Sequence, residues 1–428
     1  MRRAWHAGFA VAPSLWLAVA GAGCSDRKPS SATDCAGASE VGFEVRELLP
    51  RPHANYRATS GNVRFQDLDG DGTKELFVHE AGNARITVLS DCTPECVEQV
   101  FSEGLRVPVR SHVVDLERDG DRDLLVSDIG SMSPSDERVG RVVVLRSDSR
   151  GGFIPEVLAE NLGRVVSTEA ADLDGDGDED IVVCEFGHES VGSLFWLEQA
   201  DGSFERRELE PVPGAIHGFP VDLDADGDAD IAAIFSQDAE DVRLYRNGGS
   251  GSFTSELLFA GGSDDFGMSG LEPTDLDQDG DIDLLVTNGD YLDTVRFEDD
   301  DTFPELHGLA WLENIAGAFV WHDVLRTPAA YTVRAADLDG DCDRDLVLGS
   351  LVRTEVLPGR YRPPPLLWLE NDGAQAFSVH PLLETPQPLV SIDIGDVDAD
   401  GRLEIAFGDL GDNVRGTRAS IMRLHGQP

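Results

Sequence analysis

Seven times the chain writes an acidic turn of the form Asp-x-Asp-x-Asp-Gly-x-x-Asp followed by aliphatic residues. The turns begin at Asp67, Asp115, Asp172, Asp222, Asp275, Asp337 and Asp396. Successive starts lie 48, 57, 50, 53, 62 and 59 residues apart, a period that fits one four-stranded propeller blade. One such unit cannot bury its apolar face alone, so neighbours must stack. Runs such as Ile181-Val182-Val183 and Leu284-Leu285-Val286 after the turns are short and aliphatic and read as strands. Seven units therefore predict an all-β, seven-bladed propeller in which each acidic turn joins two strands.

Carboxylates at positions 1, 3 and 5 of a tight turn supply the hard oxygen donors that calcium takes in sets of six to eight. With the position 7 backbone carbonyl and the position 9 carboxylate, the expected donors of the first two turns are Asp67, Asp69, Asp71, Thr73 and Glu75, then Asp115, Glu117, Asp119, Asp121 and Asp123. The third and fourth offer Asp172, Asp174, Asp176, Asp178 and Asp180, then Asp222, Asp224, Asp226, Asp228 and Asp230. The fifth and sixth offer Asp275, Asp277, Asp279, Asp281 and Asp283, then Asp337, Asp339, Asp341, Asp343 and Asp345. The seventh offers Asp396, Asp398, Asp400, Arg402 and Glu404. Several calcium ions, up to seven, are the expected cofactors.

An EF-hand would place a bidentate glutamate at position 12 between helices. Here position 12 is Val78, Val126, Val183, Ala233, Val286, Leu348 or Phe407, so the chain has already entered an apolar strand. A solvated charge run is the bland reading of one such stretch, but seven copies in one register argue against it. Carboxylates packed this closely repel one another without a cation. The sixth turn has Cys342 where the others have glycine. That position needs a left-handed backbone, so site six is expected to be the weakest.

The formal charge of −47 argues against nucleic acid or anionic lipid head groups as partners. Arg2 and Arg3, followed by an apolar stretch from Ala7 to Ala22, read as a secretory signal over residues 1–23, too short for a membrane span. Gly21-Ala22-Gly23-Cys24 resembles a bacterial lipoprotein cleavage box and would make Cys24 a lipidated first residue. Ordinary cleavage, leaving Cys24 and Cys35 to pair, is the alternative. Residues 24–40 read as a flexible tether, and 41–428 as the propeller. The chain is thus expected to be exported, lipid-anchored at the cell envelope or secreted, and monomeric. Cys92 and Cys96 flank Pro94 and suit a local disulfide, whereas Cys184 and Cys342 read as unpaired small hydrophobes.

Each repeat also carries a strand such as Leu194-Phe195-Trp196-Leu197-Glu198 or Leu309-Ala310-Trp311-Leu312-Glu313, then Gly-x-Phe and a last strand. Together with Phe186-Gly187 and Phe407-Gly408, these pieces make residues 42–425 resemble the FG-GAP/VCBS repeat family. The resemblance implies propeller blades with calcium in the loop between the first two strands, as in the integrin alpha-chain head. It says little about activity.

Phe43 to Leu48 matches the last strand of a blade yet precedes the first turn, and Ala419 to Leu424 would be only the third strand of blade seven. The N-terminal strand is therefore expected to complete the last blade and remove its open edge. Trp196, Trp311 and Trp368, at matched strand positions, read as packing between blades rather than as sugar platforms.

Loops between second and third strands should lie on the face opposite the acidic turns. Three are long, over 129–140, 290–307 and 352–365, and uneven insertion on one face is where binding resides. The last holds Arg353, Arg360, Tyr361 and Arg362, a possible grip on a carboxylate or acidic sugar, or simply partners for nearby acids. Three residues before each turn stand Arg64, His112, Glu169, Phe219, Glu272, Arg334 and Asp393. On an innermost strand they would ring the channel, as mixed charge in a wet pore or as a ligand or catalytic pocket.

The sequence has no Gly-x-Ser-x-Gly nucleophile motif, zinc signature or phosphate-cradling glycine loop. The reading is a non-enzymatic binding or adhesion module for a protein or polysaccharide. The alternatives are a lectin with repeated glycan sites, or a lyase-like polysaccharide enzyme with its pocket at the channel.

Overall fold

The computed structural model describes residues 42–48, 61–92, 95–148, 151–200, 202–290, 306–351, 363–384, 388–409 and 419–425. Strand β1 (Gly42–Glu47) precedes the first turn. Blade one is β2 (Gly61–Gln66), β3 (Glu75–Glu80), β4 (Arg85–Ser90) and β5 (Val97–Phe101). Blade two is β6 (Pro108–Val114), β7 (Asp123–Asp128), β8 (Gly140–Ser147) and β9 (Phe153–Leu162). Blade three is β10 (Val165–Ala171), β11 (Asp180–Glu185), β12 (Ser193–Ala200) and β13 (Ser203–Glu210). Blade four is β14 (Ala215–Val221), β15 (Asp230–Phe235), β16 (Asp241–Asn247) and β17 (Phe253–Ala260). Blade five is β18 (Met268–Thr274), β19 (Asp283–Asn288), β20 (Gly308–Ile315) and β21 (Ala318–Arg326). Blade six is β22 (Ala330–Ala336), β23 (Asp345–Ser350), β24 (Leu366–Asn371) and β25 (Phe377–Leu383). Blade seven holds β26 (Leu389–Gly395), β27 (Glu404–Asp409) and β28 (Ala419–His425).

Every sheet is four-stranded and antiparallel in sequential order, and β1 pairs with β28 as the outermost strand of the seventh. The first strands touch their neighbours all round the ring, from β2 against β6 through to β26 against β2. They are therefore the innermost strands.

Adjacent blades hold the molecule together through seven apolar clusters, one at each blade-to-blade interface. Second strands such as β7, β11 and β15 have all six residues buried, because both of their faces meet a neighbouring blade. Outer strands alternate instead and leave single apolar side chains in water, Ile154 and Leu257 among them. Trp196, Trp311 and Trp368 sit in the clusters between blades three and four, five and six, and six and seven, as expected.

Position 2 of each acidic turn is a buried aliphatic residue: Leu68, Leu116, Leu173, Leu223, Leu276, Leu338 or Val397. Each drives the turn's root into an interface core, so turn geometry and blade packing are coupled. Leu173 is 1% exposed, and Leu173→Ala is expected to cost about 2–5 kcal/mol in urea-induced unfolding. A loss below about 1 kcal/mol would show that the turn is not anchored this way.

Candidate functional site

The seven acidic turns share one backbone scheme. The buried position 9 carboxylate, from Glu75 in the first to Glu404 in the seventh, accepts the position 2 N–H at 2.7–3.2 Å. In blades two to six its other oxygen accepts a backbone N–H from the end of the third strand at 2.7–2.9 Å. The position 1 aspartate accepts the position 6 N–H in six turns at 2.8–3.2 Å. Position 5 accepts the position 7 N–H in all seven at 2.7–3.0 Å. These bonds fold the carboxylates of positions 1, 3 and 5 toward a common centre.

Three carboxylate oxygens lie within 4.8 Å of one another in groups that include Asp67, Asp69 and Asp71, Asp172, Asp174 and Asp180, and Asp275, Asp277 and Asp279. Asp222, Asp224 and Asp226, and Asp337, Asp339 and Asp341, form similar groups. Oδ1 of Asp222, Asp275 and Asp398 is buried without a hydrogen-bond partner. Burial pushes the carboxyls of Asp123, Asp180, Asp345 and Glu404 up to about 7, and burial followed by neighbouring Asp341 pushes Asp339 up to about 6. The turns therefore hold more negative charge than their surroundings solvate. Arginines answer part of it: Arg146 pairs with Glu117, Arg246 with Asp224 and Arg423 with Asp398, each at position 3.

Position 6 is left-handed throughout, φ 92° at Gly72 and 75° at Cys342. An added Cβ meets nothing within 4 Å at Gly72, Gly120, Gly227, Gly280 and Gly401, so a side chain there points into open space. This corrects the expectation that Cys342 is an unpaired small hydrophobe. It is disulfide-bonded. Cys92 and Cys96 form the local disulfide, and Cys184 is free and buried. Position 4 is left-handed too, including the non-glycine residues Arg118, Ala225, Gln278 and Ala399; only Gly70, Gly175 and Gly340 hinted at it in the sequence.

The seven expected channel residues do converge. Arg64 grips Glu169 with both Nη atoms at 2.9 and 3.2 Å, and His112 Nδ1 stands 2.7 Å from the same carboxylate. Arg334 bridges Glu272 and Asp393, each at 3.1 Å. Phe219 lies under Arg110, 5.4 Å from its ring centre. Arg110 and His217, which join the ring by contacts to Glu169 and to each other at 3.2 Å, were not singled out from the sequence. They stand two residues before His112 and Phe219, and strand alternation puts such residues on the same face.

Burial would raise Glu169, but Arg64, His112 and Arg110 hold it well below its usual range. Burial, then Arg110 and Arg334, holds His217 well below 6.5. Burial, offset in part by the bond to the Asn62 carbonyl, lowers His79 to about 4. That carbonyl can only accept, so His79 Nδ1 carries the proton and Nε2 accepts from the Ser111 hydroxyl at 2.8 Å.

A cavity of about 470 Å³ opens above this network. Its wall takes residues from the first halves of the innermost strands, such as Asn62, Val109, Val166, Ile216 and Val390. The acidic turns follow the last residues of the same strands, so the cavity lies toward the other face. Ile129, Met132, Ser133, Pro134, Phe186 and Asp290, from the loops between second and third strands, complete it. Of the expected ligand face, Arg353, Arg360, Tyr361 and Arg362 lie outside the described residues, as do Cys24, the signal segment and the tether. Among the described residues no helix is long and apolar enough to cross a membrane. A second cavity of about 510 Å³ lies between blades three and four beside Trp196, Tyr245 and Phe253. Trp196 is only 4% exposed there, so it presents no free ring face to a sugar.

The fold and the turns define a seven-bladed propeller with its acidic turns on one side and an open channel mouth on the other. The FG-GAP-like repeat model matches residues 112–183, 222–286 and 337–407. The chain thus carries FG-GAP-like repeats in three places, each match spanning two successive acidic turns. Similar solved structures include BBS1N in complex with ARL6DN, soaked with lead, at 13% identity and a TM-score of 0.49, covering 90% of this chain and 96% of that one. The mercury-soaked form of that complex is 12% identical with a TM-score of 0.49, over 88% and 96%. No curated protein matches the chain in sequence.

A group whose pKa is depressed on folding contributes stability above its unfolded value that is lost as pH falls toward its folded value. For His79 that window runs from 6.5 down to about 4, with His217 shifted the same way. The raised carboxyls of the turns act in the opposite direction over the same range, so the histidine is read from the variant: as pH is lowered from 6.5 to 4, the unfolding free energy of His79→Gln is expected to gain on that of the wild type. A difference between the two that stays constant across that range would contradict the buried neutral histidine.

Proposed function

We propose that the protein is a calcium-stabilised binding module, exported, and engaging its protein or polysaccharide ligand at the channel mouth opposite the acidic turns. The observation that carries this is the cavity itself, built from all seven innermost strands together with the irregular loops of the non-acidic face. Insertions of unequal length on one face of a regular scaffold are where binding chemistry can vary without disturbing the blades.

The acidic turns suit a structural ion better than a ligand. Their donors are hard oxygens in a turn that hydrogen bonds already hold in shape. The unpartnered Oδ1 atoms of Asp222, Asp275 and Asp398 fit a cation that would satisfy them. Bound calcium supplies positive charge that removes the mutual repulsion and the upward pull on the buried carboxyls. Turns two, four and seven, whose position 3 carboxylates already hold arginines, should bind it more weakly than turns three and five.

An ion at ten times its dissociation constant stabilises the folded state by about 1.4 kcal/mol per site. Several sites together should raise the melting temperature by more than about 10 °C between chelator and millimolar calcium. Thermal unfolding under the two conditions tests this. No shift would overturn the structural role of the ion and return the acidic turns to consideration as a binding surface.

A further inference from the structure

Acids outnumber bases 81 to 34 in this chain, yet the cavity wall inverts that balance. Among its described residues are Arg110, Arg164 and Arg334 but one acid, Asp290. Two of the arginines are well engaged. Arg334 pairs with Glu272 and Asp393, while Arg164 stacks over Phe186 at 4.9 Å and donates to the Ser131 carbonyl at 3.2 Å.

Arg110 is different. The residue is only 6% exposed, and its Nε is buried with no hydrogen-bond partner. Its one carboxylate neighbour, Glu169, is shared with Arg64 and His112. Its other contact is His217 Nδ1 at 3.2 Å, a neutral acceptor. Burial and the repulsion of Arg64 lower its pKa to about 10 despite Glu169, which marks a guanidinium short of negative charge. A buried donor without a partner costs free energy that an incoming acceptor recovers, and a charged acceptor recovers most.

The remainder of the wall is largely apolar. Val109, Ile129, Met132 and Val166 pack together on the side of blades two and three, and Phe186 and Ile216 also line the wall. At about 470 Å³ the space suits a small molecule rather than a folded element.

We propose that the channel cavity binds a small organic carboxylate, its apolar body against Ile129, Met132 and Phe186 and its charged end taken up by Arg110. This rests on the reading of the channel mouth as the binding face and names the chemistry that the face selects. A carboxylate oxygen adds the negative charge that this guanidinium lacks, through the one donor left unpartnered, and a neutral analogue of the same shape forgoes the charge.

Calorimetric titration of the calcium-loaded protein with phenylacetate and benzoate, against phenylacetamide and benzamide, tests the assignment. The carboxylates should bind at least about tenfold more tightly than their amides, the usual scale of one charge-assisted hydrogen bond, and Arg110→Met should abolish that preference. Because Arg110 belongs to the channel network, its variant can fail to fold. Ile216→Trp fills the cavity from the wall and removes no charged or hydrogen-bonding group of the network, and should weaken carboxylate binding at least tenfold. Equal affinity for acids and amides would overturn the anion assignment while leaving the channel mouth as the binding face. No binding by any probe, or full affinity in Ile216→Trp, would also overturn it. The calcium-dependent melt is read separately, so loss of this assignment is distinguishable from loss of the scaffold reading.

Discussion

The buried carboxylate at position 9 of each acidic turn is the contact on which the rest of the molecule depends. One oxygen fixes the root of its own turn, and in blades two to six the other fixes the end of the third strand. A single side chain thus sets where the turn begins, where the second strand starts and how far the third strand runs. Its neighbour at position 2 is driven into the interface with the next blade. The charge that would be costly to bury alone is therefore placed where backbone donors meet it.

That arrangement separates the molecule into two unlike ends. Acidic turns close one end with repeated, nearly equivalent geometry. At the other end the loops are unequal, and the innermost strands present a mixture of arginine, histidine, hydroxyl and apolar groups around one cavity. Between the ends lies the ion-pair network of Arg64, Glu169, Glu272, Arg334 and Asp393. Pairing of this kind ties blades that are distant in sequence, since Arg64 and Glu169 stand two blades apart. Removing one partner of a buried pair strands the other in a poor solvent, so the network holds the channel's shape as well as its charge.

The architecture was legible in the sequence because both the acidic turns and the apolar strands recur with one period, and recurrence outweighs the ambiguity of any one segment. Packing of Trp196, Trp311 and Trp368 between blades could be read for the same reason. Arg110 and His217 were missed because they are not repeated: each appears in one blade, and only strand alternation with a known inward residue points to them. The Cys342 disulfide escaped because its identity suggested a core position, while it sits at a left-handed turn position and is disulfide-bonded. Individual features of a repeat protein are seen from the sequence less readily than shared ones, and the cavity end of this molecule is made of individual features.

Long-wavelength anomalous diffraction from crystals grown in calcium is the most direct test of the division between an ion-holding end and a ligand-binding end. Calcium peaks among the position 1, 3 and 5 carboxylates of the turns, with none beside Glu169, Glu272 and Asp393 in the channel, are the predicted result. Turns without calcium, or an ion seated in the channel network, would contradict it.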